Sequence, residues 1–460
     1  MKKLDCLLIS PPHQRLHMTP YPYLGLCYLA GSLRERGIKV SILDCAALNL
    51  KMSDMLAYIR QAKPVIIGIS AMSPTLRVCH EMARAIKADY PTGVIVLGGS
   101  HVNAEPQIIS TLGLQYGLSG ECEHSLADFC EAILGQGEAL NIPGLARSIN
   151  GKLSIQPPLP IDDLDQLPLP AYDLLPLEKY RGINTNKRTI SMITSRGCPY
   201  NCIYCGGLRK SRYRRLSVDR AMAQIDLLVN KHNFQYIEFE DDIFTLDRQW
   251  VMRFCRELIG RGLKVSWGAM SRADTVDDEL LAAMKEAGCG NLGFGVETGV
   301  ERIRYLDHKK ITNEKYHDAV NLCRRHGIRT MGFYIFGHPT ETVEDIKETI
   351  RFSRRLGTDA IKISKMVPVP KSEIFEIALA AGQLPSDVWT RYLWGEVPYP
   401  IYYPEGVKPK TLDRLHSWMW FSSYFSLTRI LPNIKMILRP HNLFEAIRVL
   451  FLFVSGKAYR

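Results

Sequence analysis

The chain alternates between two hydrophobic periods over its first 135 residues. Short apolar runs rich in β-branched residues are separated by stretches whose apolar positions recur every three or four residues. The predicted strands are 7–10, 40–43, 65–70 and 94–97, and the predicted helices are 24–36, 53–61, 76–88 and 125–134. This alternation predicts an N-terminal α/β domain with a doubly wound parallel sheet, of the Rossmann-like kind that binds ligands at the carboxyl ends of its strands.

The same alternation returns after a change of composition. Residues 136–188 contain a hairpin candidate at 145–155 and then PPLPIDDLDQLPLPAYDLLP, in which repeated prolines oppose both helix and sheet. Beyond this linker, six predicted strands alternate with five predicted helices. The strands are 189–194, 236–239, 265–269, 291–296, 330–336 and 360–366, and the helices are 217–231, 247–261, 275–287, 313–326 and 342–356. We therefore predict four regions, 1–140, 141–188, 189–370 and 371–460, the last of them helical.

Composition is that of a globular protein, with 46% hydrophobic and 23% charged residues among 460. We find no signal peptide and no apolar run long enough for a bilayer, and so expect a cytoplasmic protein. The net charge of +11 is concentrated at the end of the chain, where residues 401–460 hold nine Lys or Arg and eleven aromatic residues. We hypothesise that this tail makes peripheral membrane contact and that the substrate is hydrophobic or lipid-like. The alternative is a helical cap that roofs the substrate cavity.

Three of the twelve cysteines are clustered, in the segment SRGCPYNCIYC. Cys198, Cys202 and Cys205 bring three thiolates to one tight loop, and no second CxxC pair exists elsewhere in the chain. A structural zinc ion takes a fourth ligand from such a pair, whereas thiolates are the usual ligands of iron–sulfur clusters. We predict a 4Fe–4S cluster with three protein ligands, which leaves one iron open to a cofactor or substrate.

With Tyr204 at its aromatic position, the segment matches CxxxCxΦC, and the chain resembles the radical S-adenosylmethionine superfamily from about residue 190 to 370. The resemblance implies a partial (β/α)6 barrel and binding of S-adenosylmethionine to the open iron. It also implies the residues that bind this cofactor, although each could instead be a helix cap or part of a surface ion pair. They are Tyr204 for the adenine, an acid among Glu240, Asp241 and Asp242 for the amine, Arg272 for the carboxylate and Glu297 for the ribose.

A doubly wound domain before such a barrel resembles the cobalamin-binding subfamily, through the segments SPP, LGLCYLAGSLRERG, VIIGIS, VLGGSH and SGECE. The resemblance implies cobalamin between the domains, on the loops of the first sheet. The signature Asp-x-His-x-x-Gly is absent from residues 1–140, and neither His13 nor His17 has its neighbours. We therefore expect base-off cobalamin without a protein histidine ligand. The predicted cobalamin-binding residues are Pro12, Ser70, Gly98, Gly99, His101, Gly120 and Glu121.

The resemblance implies an enzyme that methylates an unactivated carbon of a small molecule. One S-adenosylmethionine would methylate cobalamin, a second would generate a 5′-deoxyadenosyl radical, and a reductant such as flavodoxin or ferredoxin would supply electrons. A radical cyclase or rearrangement enzyme of the same architecture is the alternative. An RNA-modifying or RNA-binding iron–sulfur protein is a third hypothesis, prompted by the charge. We do not expect nucleic acid as a partner, because the first domain lacks the additional clustered cysteines of tRNA methylthiotransferases and no base-stacking motif is present. A corrinoid sensor would have no use for an open iron.

Overall fold

The computed structural model describes residues 4–12, 21–136, 141–182, 187–206 and 211–424. They form two large β-sheets, a separate two-stranded ribbon, a linker between the two large sheets and a C-terminal helical region. The predicted α/β architecture is confirmed. His13, His17 and residues 425–460 lie outside the described residues, so the hypotheses on the lower face of cobalamin and on the membrane-contacting tail stay predictions.

The first sheet has seven strands in the order β2-β1-β3-β4-β5-β6-β7. Strands β1 to β5 are parallel, and β6 and β7 continue the sheet in antiparallel pairing. The strands are β1 Cys6–Ser10, β2 Val40–Asp44, β3 Ile66–Ser70, β4 Val94–Gly98, β5 Tyr116–Leu118, β6 Leu145–Ile149 and β7 Lys152–Ile155. The helices are α1 Leu24–Glu35, α2 Met52–Ala62, α3 Leu76–Asp89, α4 Ser100–Ala104, α5 Ile108–Thr111 and α6 Glu123–Glu131.

Two features of this sheet differ from the sequence prediction. Strand β5 has three residues, too few to show a hydrophobic period, and it was not predicted. The hairpin of β6 and β7 was assigned to the linker region, whereas β6 pairs with β5 and extends the first sheet to Ile155. Pairing with β5 stabilises the hairpin, because an isolated two-stranded hairpin is barely stable and β5 adds a third strand.

The second sheet has six parallel strands in the order β15-β14-β13-β12-β11-β8, with β8 and β15 at its edges, as in an open partial barrel. A separate two-stranded ribbon, β9 with β10, closes the cysteine loop. The strands are β8 Thr189–Met192, β9 Ser195–Arg196, β10 Arg214–Arg215, β11 Tyr236–Phe239, β12 Ser266–Ser271, β13 Cys289–Glu297, β14 Arg329–Phe336 and β15 Ala360–Lys365. The helices are α7 Val218–Asp226, α8 Arg248–Gly260, α9 Asp278–Glu286, α10 Glu301–Leu306, α11 Asn313–Arg325 and α12 Val343–Leu356.

Side-chain caps define where the barrel helices begin. Ser217, Asp247 and Asp277 each accept a hydrogen bond from a backbone N–H in the first turn of the following helix. Such caps satisfy donors that have no partner within the helix. The helices therefore start within three residues of the positions that the hydrophobic period predicts.

Beyond the barrel lie α13 Glu373–Ala380, α14 Val388–Trp394 and α15 Pro409–Tyr424, which confirms a helical C-terminal region as far as it is described. Helix α15 packs on β15 and α12, where the Arg354 guanidinium lies over the Trp418 ring. Helix α14 packs on α3 of the first domain. Among the described residues, no helix combines the length and the apolarity that crossing a bilayer requires.

The proline-rich linker is ordered against both sheets. The buried Tyr172 hydroxyl donates to the Ser191 carbonyl of β8 at 3.3 Å. The buried Tyr180 hydroxyl donates to Asp44 Oδ2 at the end of β2, at 2.6 Å. Ser10 and the Ala47 N–H donate to the other oxygen of Asp44, so this buried carboxylate depends on the linker for one of its partners.

We expect Tyr180→Phe to lower the free energy of unfolding by about 1–3 kcal/mol, because Asp44 loses a buried charge-assisted hydrogen bond. The measurement is urea-induced unfolding followed by circular dichroism. Tyr305→Phe, at an exposed tyrosine, is the matched control and should stay within about 0.5 kcal/mol of the wild type. Equal stability of the two variants would show that the Tyr180–Asp44 hydrogen bond does not stabilise the fold.

Candidate functional site

A cavity of about 990 Å³ lies where the first sheet faces the barrel. This volume is at the upper end of the usual range for small-molecule sites. Its walls include the strand-end loops of the first sheet, α1, the linker and the residues beside the cysteine loop. From the barrel side it is lined by Ile193, Ser195, Arg196, Gly197, Ser211, Arg214, Glu240 and Asp242.

Most of the residues predicted to bind cobalamin line this cavity. They are Ser70, Gly98, Gly99, Gly120 and Glu121. Gly99 has φ of +101°, and a Cβ there would lie 2.5 Å from the Ala71 carbonyl oxygen, so only glycine fits. Backbone exposed in this way can approach a flat ligand closely. The cavity therefore fits a large planar group such as a corrin.

Two of the predicted residues, Pro12 and His101, are not among the lining residues. His101 is fully buried behind the cavity, where its Nδ1 is 3.0 Å from Ser73 Oγ and its ring meets Trp389 edge-on at 5.6 Å. Burial lowers the pKa of His101 to about 4, so the ring is neutral at pH 7. The structure gives His101 a packing role that joins the first domain to α14.

The cysteine loop leaves β9 and returns through β10. Gly197 turns the chain with φ of +90°, and a Cβ at this position would collide with the Arg212 carbonyl oxygen. Cys198 N–H donates to Ser211 Oγ at 2.9 Å, and Cys205 N–H donates to the Cys202 carbonyl at 3.1 Å. The first bond ties the start of the loop to the segment that returns to β10, and the second closes a turn between the last two cysteines.

The donor set of this loop fits a cluster. All three cysteines are half-buried and free of disulfides, and burial raises the pKa of Cys198, with further contributions from Asp242 and the other two thiols. A thiol that is hard to ionise on its own becomes an anionic ligand when iron is present. Within the described ranges, no three His, Cys, Asp or Glu side chains converge as ligands of one ion would. The ligands of an iron–sulfur cluster need not converge on one point, because each thiolate binds a different iron.

The structure separates the three acids that follow β11. Asp241 is buried and turned towards β8, where it accepts hydrogen bonds from the Thr194 N–H (3.0 Å), the Thr194 hydroxyl (2.7 Å) and the Ser195 hydroxyl. Glu240 and Asp242 line the cavity instead. Asp241 therefore supports the cysteine loop, and this differs from its predicted role as a ligand of the amine.

Burial raises the pKa of both cavity-facing acids, with a contribution from the neighbouring Asp241 carboxylate. The pKa of Asp242 reaches about 6, and Glu240 accepts a hydrogen bond of 2.6 Å from Ser191 Oγ, which opposes the rise. A cation that enters the cavity would stabilise the charged form of both carboxylates. The methionyl amine of S-adenosylmethionine is such a cation.

Arg272 lies against the cysteine loop, as its predicted contact with a cofactor carboxylate requires. Its guanidinium stacks on the Tyr200 ring at 3.6 Å, and two of its nitrogens donate to Asp274 at 3.0 and 2.9 Å. Because the side chain is buried and held on two sides, its position is fixed before any ligand binds.

Glu297 ends β13 with φ of +65° and forms a buried ion pair with Lys309 at 2.8 Å. Tyr204 lies edge-on to His338 at 6.5 Å between their rings. His338 in turn lies 2.6 Å from Asp307, and both side chains are fully buried. Burial alone would lower the pKa of His338, but Asp307 and then Glu341 raise it to about 9.

Sequence reasoning missed most of the partners that hold these side chains. Arg214 of β10 binds both oxygens of Glu121 at 2.8 and 2.6 Å, and the Ile161 N–H donates to the same carboxylate at 2.8 Å. Arg196 of β9 binds Glu123. Arg214 is separated from Glu121 by 93 positions in sequence, and a period analysis carries no signal at that range. The predicted cobalamin residue Glu121 therefore also joins the two domains.

Two family models match this chain. The model described as the Radical SAM superfamily matches residues 192–353, and the model described as the B12 binding domain matches residues 19–129. The two matches fall on the barrel and on the first sheet, on opposite sides of the cavity.

Three similar proteins illustrate the range of relatives. An uncharacterized methyltransferase of Pyrococcus horikoshii, PH0819, is 33% identical over 85% of this chain and 87% of its own. The anaerobic magnesium-protoporphyrin IX monomethyl ester cyclase of Rubrivivax gelatinosus is 29% identical over 77% of this chain and 66% of its own. The radical S-adenosylmethionine methyltransferase TsrM from Kitasatospora setae, solved with tryptophan and an S-adenosylmethionine analogue, has the same fold with a TM-score of 0.71. It is 19% identical, and the match covers 89% of this chain and 88% of that one.

Iron binding should depend on the three clustered cysteines. After anaerobic reconstitution we expect about four irons per chain in the wild type and none in the triple variant Cys198→Ala/Cys202→Ala/Cys205→Ala, since thiolates are the ligands that hold such a cluster. Iron and sulfide analysis and the visible absorbance of the cluster measure this. Cys122→Ala, at another partly exposed cysteine, is the control and should bind iron like the wild type. Full cluster absorbance in the triple variant would refute the assignment.

The adjacent acids Asp241 and Asp242 should differ in their effect on stability. Asp241→Asn should lower the free energy of unfolding by about 1–3 kcal/mol, because an amide cannot accept all the hydrogen bonds of the buried carboxylate. Asp242→Asn should unfold like the wild type or later at pH 7, because burial raises the pKa of Asp242 and its charge therefore opposes folding. Thermal unfolding of the two apoproteins measures both. The opposite order of stability would contradict the division of roles.

Proposed function

Because this chain belongs to the radical S-adenosylmethionine enzymes that carry a B12-binding domain, we propose that it is a methyltransferase acting on an unactivated carbon of a small molecule. The cofactors of this family are a 4Fe–4S cluster, S-adenosylmethionine and cobalamin. Together they supply hydrogen abstraction from the substrate and the methyl group that replaces the hydrogen. The observation that carries the proposal is a cavity between the two matched domains, which touches the strand ends of one and the cysteine loop of the other.

Residues of this chain in and beside that cavity would hold the cofactors. Glu240 and Asp242 present carboxylates to the amine of S-adenosylmethionine, and the fixed guanidinium of Arg272 lies beside the cysteine loop for its carboxylate. Ser70 and Gly98 at the strand ends line the cavity and would lie against the corrin. The lining is mostly apolar, and exclusion of water protects a carbon radical from side reactions.

The relatives favour methyl transfer and keep one alternative open. PH0819 is named a methyltransferase and is matched along 87% of its length, whereas the Rubrivivax gelatinosus cyclase is matched along 66% of its length at a similar identity. A cyclase reaction on this scaffold is therefore the second candidate function. The two reactions differ in the products of S-adenosylmethionine.

We expect the reconstituted enzyme, given methyl-deuterated S-adenosylmethionine, cobalamin and a low-potential reductant, to transfer the label to a metabolite from its native host. The expected products are S-adenosylhomocysteine and 5′-deoxyadenosine together with a labelled metabolite. Mass spectrometry of the extract measures all three, because a transferred deuterated methyl group gives a unique mass gain.

Two controls make the result decisive. Omission of cobalamin should abolish labelling, and the triple cysteine variant should form no 5′-deoxyadenosine. Substrate-dependent 5′-deoxyadenosine without S-adenosylhomocysteine or label would contradict methyl transfer and favour the cyclase alternative.

A further inference from the structure

A second, smaller cavity of about 380 Å³ lies between α3 of the first domain and α14 of the C-terminal region. One wall is the turn that follows α5, and Trp394 at the end of α14 forms another. This cavity shares no lining residue with the larger one, and its volume suits a small molecule. The residues of α3 that line it are His80, Ala83, Arg84 and Lys87.

The wall that α3 contributes is positively charged. His80, Arg84 and Lys87 are spaced by four and three residues, so their side chains lie along one face of the helix. Arg84 and Lys87 are exposed, and neither forms an ion pair with any residue that the structure describes. The rim of the cavity therefore carries two cations whose charge the surrounding chain leaves uncompensated.

The acids of α3 do not neutralise this wall. Glu81 lies 3.6 Å from Arg77, and Asp89 lies 2.6 Å from Arg60. No Asp or Glu is among the described residues that line the cavity. Cations around a concave site attract an anion, and the planar guanidinium of Arg84 matches the paired oxygens of a phosphate or a carboxylate.

His80 is a buried polar residue at this wall. It is 7% exposed, both ring nitrogens are shielded from solvent, and neither has a hydrogen-bond partner among the described residues. Burial, and after it the charge of Arg84, lowers the pKa of His80, so its ring is neutral at pH 7 with one N–H to donate. Buried polar groups are normally paired. An oxygen of a bound ligand would supply the partner that the described chain lacks.

Trp394 adds apolar surface to the charged rim. Its ring meets the His80 ring edge-on at 5.0 Å between centroids, and 47% of the residue remains exposed. An inorganic ion on Arg84 would leave this aromatic surface uncovered. The lining thus fits an anionic group that is carried on an apolar or planar body.

We propose that this cavity binds a small organic anion, whose phosphate or carboxylate group contacts Arg84 and Lys87 and whose apolar body covers Trp394. Because α3 and α14 belong to different regions of the chain, the ligand would fasten the C-terminal region to the first domain. The site lies outside the cofactor cavity, so the inference holds whichever reaction the enzyme catalyses.

The experiment is isothermal titration calorimetry of the reconstituted protein with phenyl phosphate as the probe. Cobalamin and S-adenosylmethionine are present to fill the larger cavity, and no reductant is added, so the result does not depend on turnover. We expect saturable binding of one phenyl phosphate per chain. Inorganic phosphate should bind more weakly because it has no apolar body, and phenol should not bind because it has no charge.

The double variant Arg84→Gln/Lys87→Gln should bind phenyl phosphate at least about tenfold more weakly, because two charge-assisted contacts are lost. Both side chains are exposed, so the variant should fold like the wild type. Lys39→Gln/Lys63→Gln is the matched control, since it removes two exposed cations of the same domain that do not line the cavity. Its affinity should equal that of the wild type.

Two single variants test the other walls. His80→Phe keeps a ring but removes the unpartnered nitrogens, so the ligand-free protein should unfold no earlier than the wild type while its affinity for phenyl phosphate falls. Trp394→Ala should weaken the binding of phenyl phosphate and leave that of inorganic phosphate unchanged. An effect of Trp394→Ala on both ligands alike would contradict the role given to the ring.

A wild type that binds no phenyl phosphate, or a double variant that binds it as tightly as the wild type, would overturn the inference. Phosphatidylcholine vesicles with and without phosphatidate identify the source of the anion. Displacement of phenyl phosphate by the phosphatidate vesicles alone would assign the site to a lipid headgroup. Its retention would assign the site to a soluble compound, and either result supports an anion site.

Discussion

Arg196 and Arg214 lie on the two strands of the ribbon that closes the cysteine loop, and both bind carboxylates of the first domain. Arg214 holds both oxygens of Glu121, and Arg196 lies 2.5 Å from Glu123 and over the Tyr28 ring. At most about a fifth of any of these four charged side chains is exposed. Charge-assisted pairs in such surroundings are strong, and the loss of one partner leaves a buried charge. The same two ion pairs therefore fix both the shape of the cysteine loop and the position of the first domain against the barrel.

The width of the cavity follows from that constraint. Because Gly120 and Glu121 belong to the same loop, the ion pair that fixes Glu121 also fixes the cavity wall at Gly120. On the other side, the pleat of β11 continues past the strand: Glu240 and Asp242 point into the cavity, and Asp241 between them points back to Thr194. Because successive side chains point to opposite sides, Asp241 supports the cysteine loop while its neighbours Glu240 and Asp242 face the cavity.

The sequence predicted what depends on local pattern. The six barrel strands, the starts of five of the six barrel helices and the meeting of strand-end glycines at one cavity all follow from hydrophobic periods and caps; the short helix α10 was not predicted. Pairings between residues far apart in the sequence were not predictable, because nothing at Glu121 marks Arg214 as its partner. The sequence likewise does not show that Glu297 forms an ion pair with Lys309. His101 followed a glycine-rich strand end like a ligand, yet its ring packs on Trp389, a residue from a region without any readable motif.

That region links the two domains a second time. Trp389 donates its indole N–H to the Pro368 carbonyl after the barrel and packs on His101 of the first domain. Lys371 donates to the Asn103 carbonyl at 3.0 Å, and the Asn103 side chain accepts the Gly120 N–H at 2.6 Å. The backbone at the cavity wall is thereby connected, through Asn103, to the segment that follows the last barrel strand. A change in the C-terminal region that moves Lys371 or Trp389 is expected to move the Gly120 loop as well. The part of the chain with the least recognisable sequence thus helps to set the position of this cavity wall.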